Sequence, residues 1–141
     1  MSESQASTRE GGCLCGAIRY RLHTTSFDTG YCHCRLCRGA SGAPALVLAT
    51  IPRNGFELIS GTPRCYRSTS FGQRWFCGDC GTQLYMQVEQ EPDTVDLTVA
   101  SLDDPDAVPP AFHIWHASRI AWFETRDALP RFDAARPTPN A

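Results

Sequence analysis

Gly12-Cys13-Leu14-Cys15-Gly16 near the start of the chain and Phe76-Cys77-Gly78-Asp79-Cys80-Gly81 at its middle decide how this sequence folds. Thiolates one or two residues apart on a glycine-rich turn converge on one tetrahedral ion, whereas cysteines so close do not reach each other as an unstrained disulfide. Two such knuckles complete a four-sulfur metal site from Cys13, Cys15, Cys77 and Cys80. About half of the domain separates the two pairs, so one ion would tie together segments whose meeting otherwise carries a loop-closure cost. The expected role is a structural staple.

Between the knuckles lies a third cluster, Cys32-His33-Cys34-Arg35-Leu36-Cys37. It offers three thiolates, and three protein ligands with an open fourth position is how zinc is held when it does chemistry. Being local in sequence, this cluster contributes less to topology, which makes it the better candidate for reactivity. The eighth cysteine, Cys65, sits in the strand-like Arg64-Cys65-Tyr66-Arg67. It reads either as an ordinary buried thiol or as the ligand that closes the second site. A disulfide framework implies secretion, yet residues 2–10 are polar throughout and carry no apolar leader. A redox Cys-x-x-Cys normally opens a helix behind a strand, whereas Cys80 is followed by Gly81 and a strand-like run. Sulfur-only tetrahedral ligation suits zinc best; iron or an iron–sulfur cluster uses the same donors.

At 141 residues and 42% apolar, the chain fits one domain with a modest core. No apolar run approaches the ~20 residues of a membrane span, so a soluble protein is expected, and thiolate ligation favours a reducing cytoplasm. A net charge of −2 predicts neither nucleic-acid nor membrane affinity. All 13 basic residues are arginine. With no lysine, Schiff-base chemistry on a lysine is excluded.

Period-two alternation, as in Ile18-Arg19-Tyr20-Arg21-Leu22, dominates the chain and predicts a mainly β fold with short helices. Further strands are expected over 45–51, 56–59, 64–67, 74–77, 83–88, 94–100 and 112–115, with a helix over 34–40. Turn signals at Pro52-Arg53-Asn54-Gly55, Ser60-Gly61-Thr62-Pro63 and Ser70-Phe71-Gly72 separate them, and 103–110 is too proline-rich for regular structure. Residues 1–10 and 133–141 read as loose, disordered ends flanking a domain over 11–132.

The motifs Gly12-Cys13-Leu14-Cys15-Gly16-Ala17, Cys32-His33-Cys34-Arg35-Leu36-Cys37-Arg38 and Phe76-Cys77-Gly78-Asp79-Cys80-Gly81-Thr82 resemble the glutathione-dependent formaldehyde-activating enzyme family, which also includes centromere protein V. Ser101-Leu102-Asp103-Asp104-Pro105, His113-Ile114-Trp115 with Ser118-Arg119, and Leu129-Pro130-Arg131-Phe132 are similar to its distal motifs. The resemblance implies a tent-like domain of antiparallel sheets with two zinc ions per chain. Cys13, Cys15, Cys77 and Cys80 match its structural ligands; Cys32, Cys34 and Cys37 match its reactive site. It implies a carbon–sulfur lyase that joins a small thiol such as glutathione to formaldehyde, giving S-(hydroxymethyl)glutathione.

Zinc chemistry agrees with that expectation, because metal coordination lowers the pKa of a bound thiol and a thiolate attacks an aldehyde carbon. Substrates such as glutathione carry carboxylates, for which Arg35 and Arg38 beside the cluster are the first candidates, followed by Arg53, Arg64, Arg67 and Arg74. His33 is a proton carrier, a ligand or an outward-turned side chain, and His113 or His116 either approaches the second metal or lies on the sheet surface. The rival reading is a non-catalytic zinc module, its second site closed by Cys65 or a histidine, that binds a protein partner.

Overall fold

The computed structural model describes residues 8–137, arranged as two β-sheets. Ten strands are formed: β1 (Arg9–Gly12), β2 (Arg19–Leu22), β3 (Asp28–Cys32), β4 (Leu46–Pro52), β5 (Phe56–Ser60), β6 (Arg64–Thr69), β7 (Gly72–Phe76), β8 (Gln83–Val88), β9 (Thr94–Thr98) and β10 (His113–Ile114). The one α-helix among the described residues, α1 (Arg35–Ser41), is within a residue of the expected segment. A small sheet has the order β1-β2-β5, and a seven-stranded sheet the order β10-β3-β4-β9-β8-β7-β6. The mainly β, antiparallel architecture read from alternation is the one observed, except that β10 runs parallel to β3.

Alternation explains how the sheets meet. On β4, Ala49 and Ile51 point one way and Leu48 and Thr50 the other; on β9, Val95 and Leu97 alternate with Asp96 and Thr98. The face with Ala49, Ile51, Val95 and Leu97 packs against Ile18, Tyr20 and Leu22 of the small sheet to form the core. Phe56 locks the layers, its ring 5.5 Å from Tyr20 and 4.7 Å from Tyr85. The Tyr20 hydroxyl, its pKa pushed up to about 12 by burial, is satisfied by Ser101 Oγ at 2.6 Å. The other face of the large sheet carries Asp28, Thr50, Asp96, Met86 and Arg74 in one cross-strand row and stays open.

Two strands escaped the sequence reading. β1 is half glycine, and β3, Asp-Thr-Gly-Tyr-Cys, has Gly30 where an apolar residue would mark a strand. Phe112 supplies the missing bulk: its ring covers Gly30 so closely that a Cβ there would overlap it. The expected loose ends also need correction. Arg9 and Glu10 are strand residues, with Glu10 paired to Arg21 across β1 and β2. At the other end Trp115 N–H donates to Ala134 O, and Arg136 pairs with Asp28 while stacking 4.1 Å above Phe112. The rest of both expected segments, 1–7 and 138–141, lies outside the described residues.

Leu97 is fully buried between the sheets. Leu97→Ala is expected to lower the unfolding free energy in urea by about 2–5 kcal/mol. A loss below about 1 kcal/mol would mean that the contact between the sheets is not the core.

Candidate metal centres

The first centre forms where β1 and β7 run out beside each other. Cys13 follows β1 in a turn closed by Gly16 N–H to Cys13 O at 3.1 Å, and Cys77 follows β7 in a turn closed by Gly81 N–H to Cys77 O at 2.8 Å. Gly16 and Gly81 both take φ near +80° (83° and 82°), the left-handed conformation that returns each chain to its sulfurs. Backbone amides aim at sulfur: Ile18 N donates to Cys13 Sγ at 3.2 Å and Asp79 N to Cys77 Sγ at 3.4 Å. Thr82 bridges the turns, its hydroxyl accepting from Leu14 N at 3.0 Å and lying 3.3 Å from Cys80 Sγ. Hydrogen bonds from Thr82 pull the Cys80 thiol down to about 5. The four sulfurs lie within 4.8 Å of one another, with Cys13 to Cys15 at 3.6 Å and Cys15 to Cys77 at 3.8 Å. A tetrahedron with metal–sulfur bonds of about 2.3 Å has edges of about 3.8 Å, so the donor set fits a zinc-sized ion. All eight cysteines are free thiols.

The second centre lies on the open face. β3 ends in Cys32, Cys34 caps α1 by accepting Cys37 N–H at 3.3 Å, and Cys37 is in the first turn of the helix. These three sulfurs also lie within 4.8 Å of one another. The Cys34 thiol is pulled down to about 2, first by the Cys32 and Cys37 thiols that point at it and then by the N–H groups of Cys37 and Leu36, while Cys32 is pushed up. Within the cluster Cys34 therefore favours thiolate, the form that binds metal, while Cys32 and Cys37 are pushed up by the neighbouring thiols and by burial. Gln83 fixes α1 to the sheet by donating to Ala40 O. A cavity of about 510 Å³ opens over the cluster, walled by Arg35, Leu36, Arg74, Asp96, Phe112 and Trp115 among others. Trp115, at φ 54°, holds a left-handed conformation that non-glycine residues seldom adopt.

The remaining sequence candidates divide sharply. Arg35 lines the cavity, whereas Arg38 donates to the carbonyls of His33 and Ser118 at 3.3 Å each. Cys65 is exposed on β6 and belongs to neither cluster, so it is neither a buried thiol nor the fourth ligand. His33 is buried, but alternation turns it away from Cys32 and Cys34, and no histidine joins either group of donors among the described residues. Instead His33 Nε2 meets His113 Nδ1 at 2.8 Å, and His113 Nε2 faces Asp127 at 3.2 Å and Thr125 at 3.3 Å. Tyr31 stacks on His113 with ring centres 4.5 Å apart. Nε2 of His113 beside a carboxylate carries the proton, so its Nδ1 accepts from His33. This assembly braces the segment that presents the cysteines. Asp127 was missed in the sequence, and Arg74, although named among the candidate arginines, was not set apart there from Arg53, Arg64 and Arg67.

This is a β protein with two clusters of cysteines that could each hold a metal ion, one part-buried between strand ends and one beneath a cavity. The model of the glutathione-dependent formaldehyde-activating enzyme family matches residues 8–118, and the chain belongs to that family. An uncharacterised lyase of Schizosaccharomyces pombe is 33% identical over 54% of this chain and 55% of its own length, so the match spans about half of that relative. A Halomonas elongata protein, provisionally named a glutathione-dependent formaldehyde-activating enzyme, is 28% identical over 82% of this chain and 79% of its own. A crystal structure of a Rhodobacter sphaeroides protein superposes with a TM-score of 0.58 at 26% identity, over 72% of this chain and 96% of that one.

Two outcomes follow for these centres. Cys77→Ser should lose metal from the first centre and unfold largely, whereas Cys65→Ala should keep the wild-type metal content; equal metal content in both variants would refute the ligand assignment. Burial, reinforced by His113 and His116, lowers the His33 pKa to about 4 from an ordinary 6.5. The unfolded chain then binds the extra proton between those values, so His33's contribution is complete above pH 6.5 and lost as pH falls toward 4. Urea unfolding across that range should show a smaller pH slope in His33→Gln than in the wild type, and identical slopes would contradict a neutral buried imidazole.

Proposed function

We propose that this chain is a zinc-dependent carbon–sulfur lyase that joins a small thiol to an aldehyde, of the type that makes S-(hydroxymethyl)glutathione from glutathione and formaldehyde. The observation that carries the reading is the convergence of Cys32, Cys34 and Cys37 under a cavity, with no fourth protein donor in the group among the described residues. The family's name and the lyase name of the S. pombe relative support the same class of reaction. One domain, extending from β1 at Arg9 to the segment of Arg136, carries both centres, and the thiolate ligands suit the reducing cytoplasm. No helix among the described residues is long and apolar enough to cross a membrane.

A zinc ion held by Cys32, Cys34 and Cys37 would supply a Lewis-acid position at which a substrate thiol binds as thiolate. The protein's own part is to hold that thiol under the cavity roof, with Phe112, Ile114 and Trp115 restricting water around the aldehyde carbon. In the overall reaction the sulfur–carbon bond forms as the carbonyl π bond breaks, and the proton lost by the thiol ends on the new hydroxyl. Cys13, Cys15, Cys77 and Cys80 would hold a second zinc with no vacancy, which serves the fold alone.

The test is a titration of glutathione into zinc-loaded protein, with formaldehyde consumption followed above the spontaneous rate. Binding with acceleration is expected. Cys37→Ser is expected to lose both while keeping its far-ultraviolet circular dichroism, because the structural centre is separate. A wild type that is fully zinc-loaded yet neither binds the thiol nor accelerates its addition would overturn the assignment and favour a zinc module that binds a protein partner.

A further inference from the structure

Arg74 lies on β7, only 5% exposed, and its side chain ends in a guanidinium, a planar cation. A buried cation of this kind is ordinarily paired with a carboxylate. Among the described residues Arg74 makes no such ion pair. One hydrogen bond is recorded, from Nη2 to Cys37 Sγ at 3.6 Å, and Nε is buried with no partner at all.

Its position explains what the unused donors face. In register, Arg74 pairs with Met86, Met86 with Asp96, and Asp96 with Thr50, one row along the open face of the large sheet. All four line the cavity above Cys32, Cys34 and Cys37. Asp96 is two strands away, at a spacing of about 10 Å, and is engaged by the Thr50 hydroxyl at 2.5 Å. Burial raises its pKa, and Glu91 and Asp28 stand on the same wall. Asp28 on that wall is already paired with Arg136, and Asp96 is engaged by Thr50, so the donors left unused on the cavity side are those of Arg74.

We propose that Arg74 is a specificity-determining residue that binds the carboxylate of the substrate thiol, holding the sulfur over Cys32, Cys34 and Cys37. The planar fork of guanidinium N–H groups matches a carboxylate, and its bond to Cys37 places that fork beside the cysteine cluster. Arg35, on the rim of the same cavity, is the more exposed basic neighbour. This assignment rests on the proposed lyase reading and adds the chemical class of its thiol: one that carries a carboxylate close to the sulfur.

The experiment compares 3-mercaptopropionate with 3-mercapto-1-propanol, which differ only in the carboxylate. It measures binding to zinc-loaded protein by calorimetry and kcat/KM with formaldehyde. Wild type is expected to favour the carboxylate thiol about tenfold or more, the range of one hydrogen bond to a charged group. Arg74→Met should bring the ratio near unity by losing only the carboxylate thiol, and Arg74→Lys should restore part of the preference. If Arg74→Met fails to fold, the reduced preference of Arg74→Lys carries the test. Equal losses for both thiols, or a ratio that Arg74→Met or Arg74→Lys leaves unchanged, would overturn the proposal and leave the lyase reading standing. A wild type that takes both thiols equally, or takes neither while still binding glutathione, would do the same, whereas one that takes neither of them nor glutathione would remove the lyase reading and this proposal with it.

Discussion

The meeting of Cys13 and Cys15 with Cys77 and Cys80 is the constraint on which the rest of the molecule depends. Cys15 and Cys77 are 62 positions apart, yet their sulfurs lie 3.8 Å from each other. Bringing such distant segments together carries a loop-closure cost that neither strand pairing nor a small core readily offsets. Four sulfurs able to share one ion supply the compensation, and Thr82 prepares the contact by hydrogen-bonding both turns. The closure holds β1 of the small sheet against the end of β7 in the large one, and so sets the layers face to face.

From that arrangement follows a division of labour between the faces of the large sheet. Ala49, Ile51, Val95 and Leu97 are taken up by the core, while their alternating neighbours Leu48, Thr50 and Asp96 look out over the open side. The same alternation separates Cys32 from Tyr31 and His33, sending the sulfurs to the cavity and the imidazole into a buried stack with His113. β3 thus turns Cys32 toward the cavity on one side and Tyr31 toward the His113 stack on the other. Arg74 extends this logic. It is a cation buried on the cavity side that touches Cys37 of the second cluster.

Much of this was legible in the sequence, for identifiable reasons. Cysteine spacing is a local signal with a narrow physical meaning, so both donor sets could be read before any fold was known. Strands with apolar alternation, such as Gln83–Val88, were equally plain. β3 was hidden because the bulk that completes it, Phe112, comes from 82 residues later by the numbering of the chain. The role of Asp127 was invisible for the same reason: its link to His113 and thence to His33 exists only after the segment around Arg131 folds back beside β10. Arg38, adjacent to the cluster, looked a better anion ligand than Arg74, yet helix geometry turns it to the backbone of His33 and Ser118 while register carries Arg74 under the cavity. Proximity in sequence pointed to Arg35, which does line the cavity, and to Arg38, which is held by backbone carbonyls instead.

The central claim is that one cysteine centre is closed and the other keeps a position for a thiol. Zinc K-edge X-ray absorption on the zinc-loaded protein tests it most directly, because the mean number of sulfur neighbours per ion is read without reference to turnover. The account predicts two zinc ions per chain with a mean between three and four sulfurs, rising to four when glutathione is added. A mean of four sulfurs before any thiol is added, or one that glutathione leaves unchanged, would contradict it.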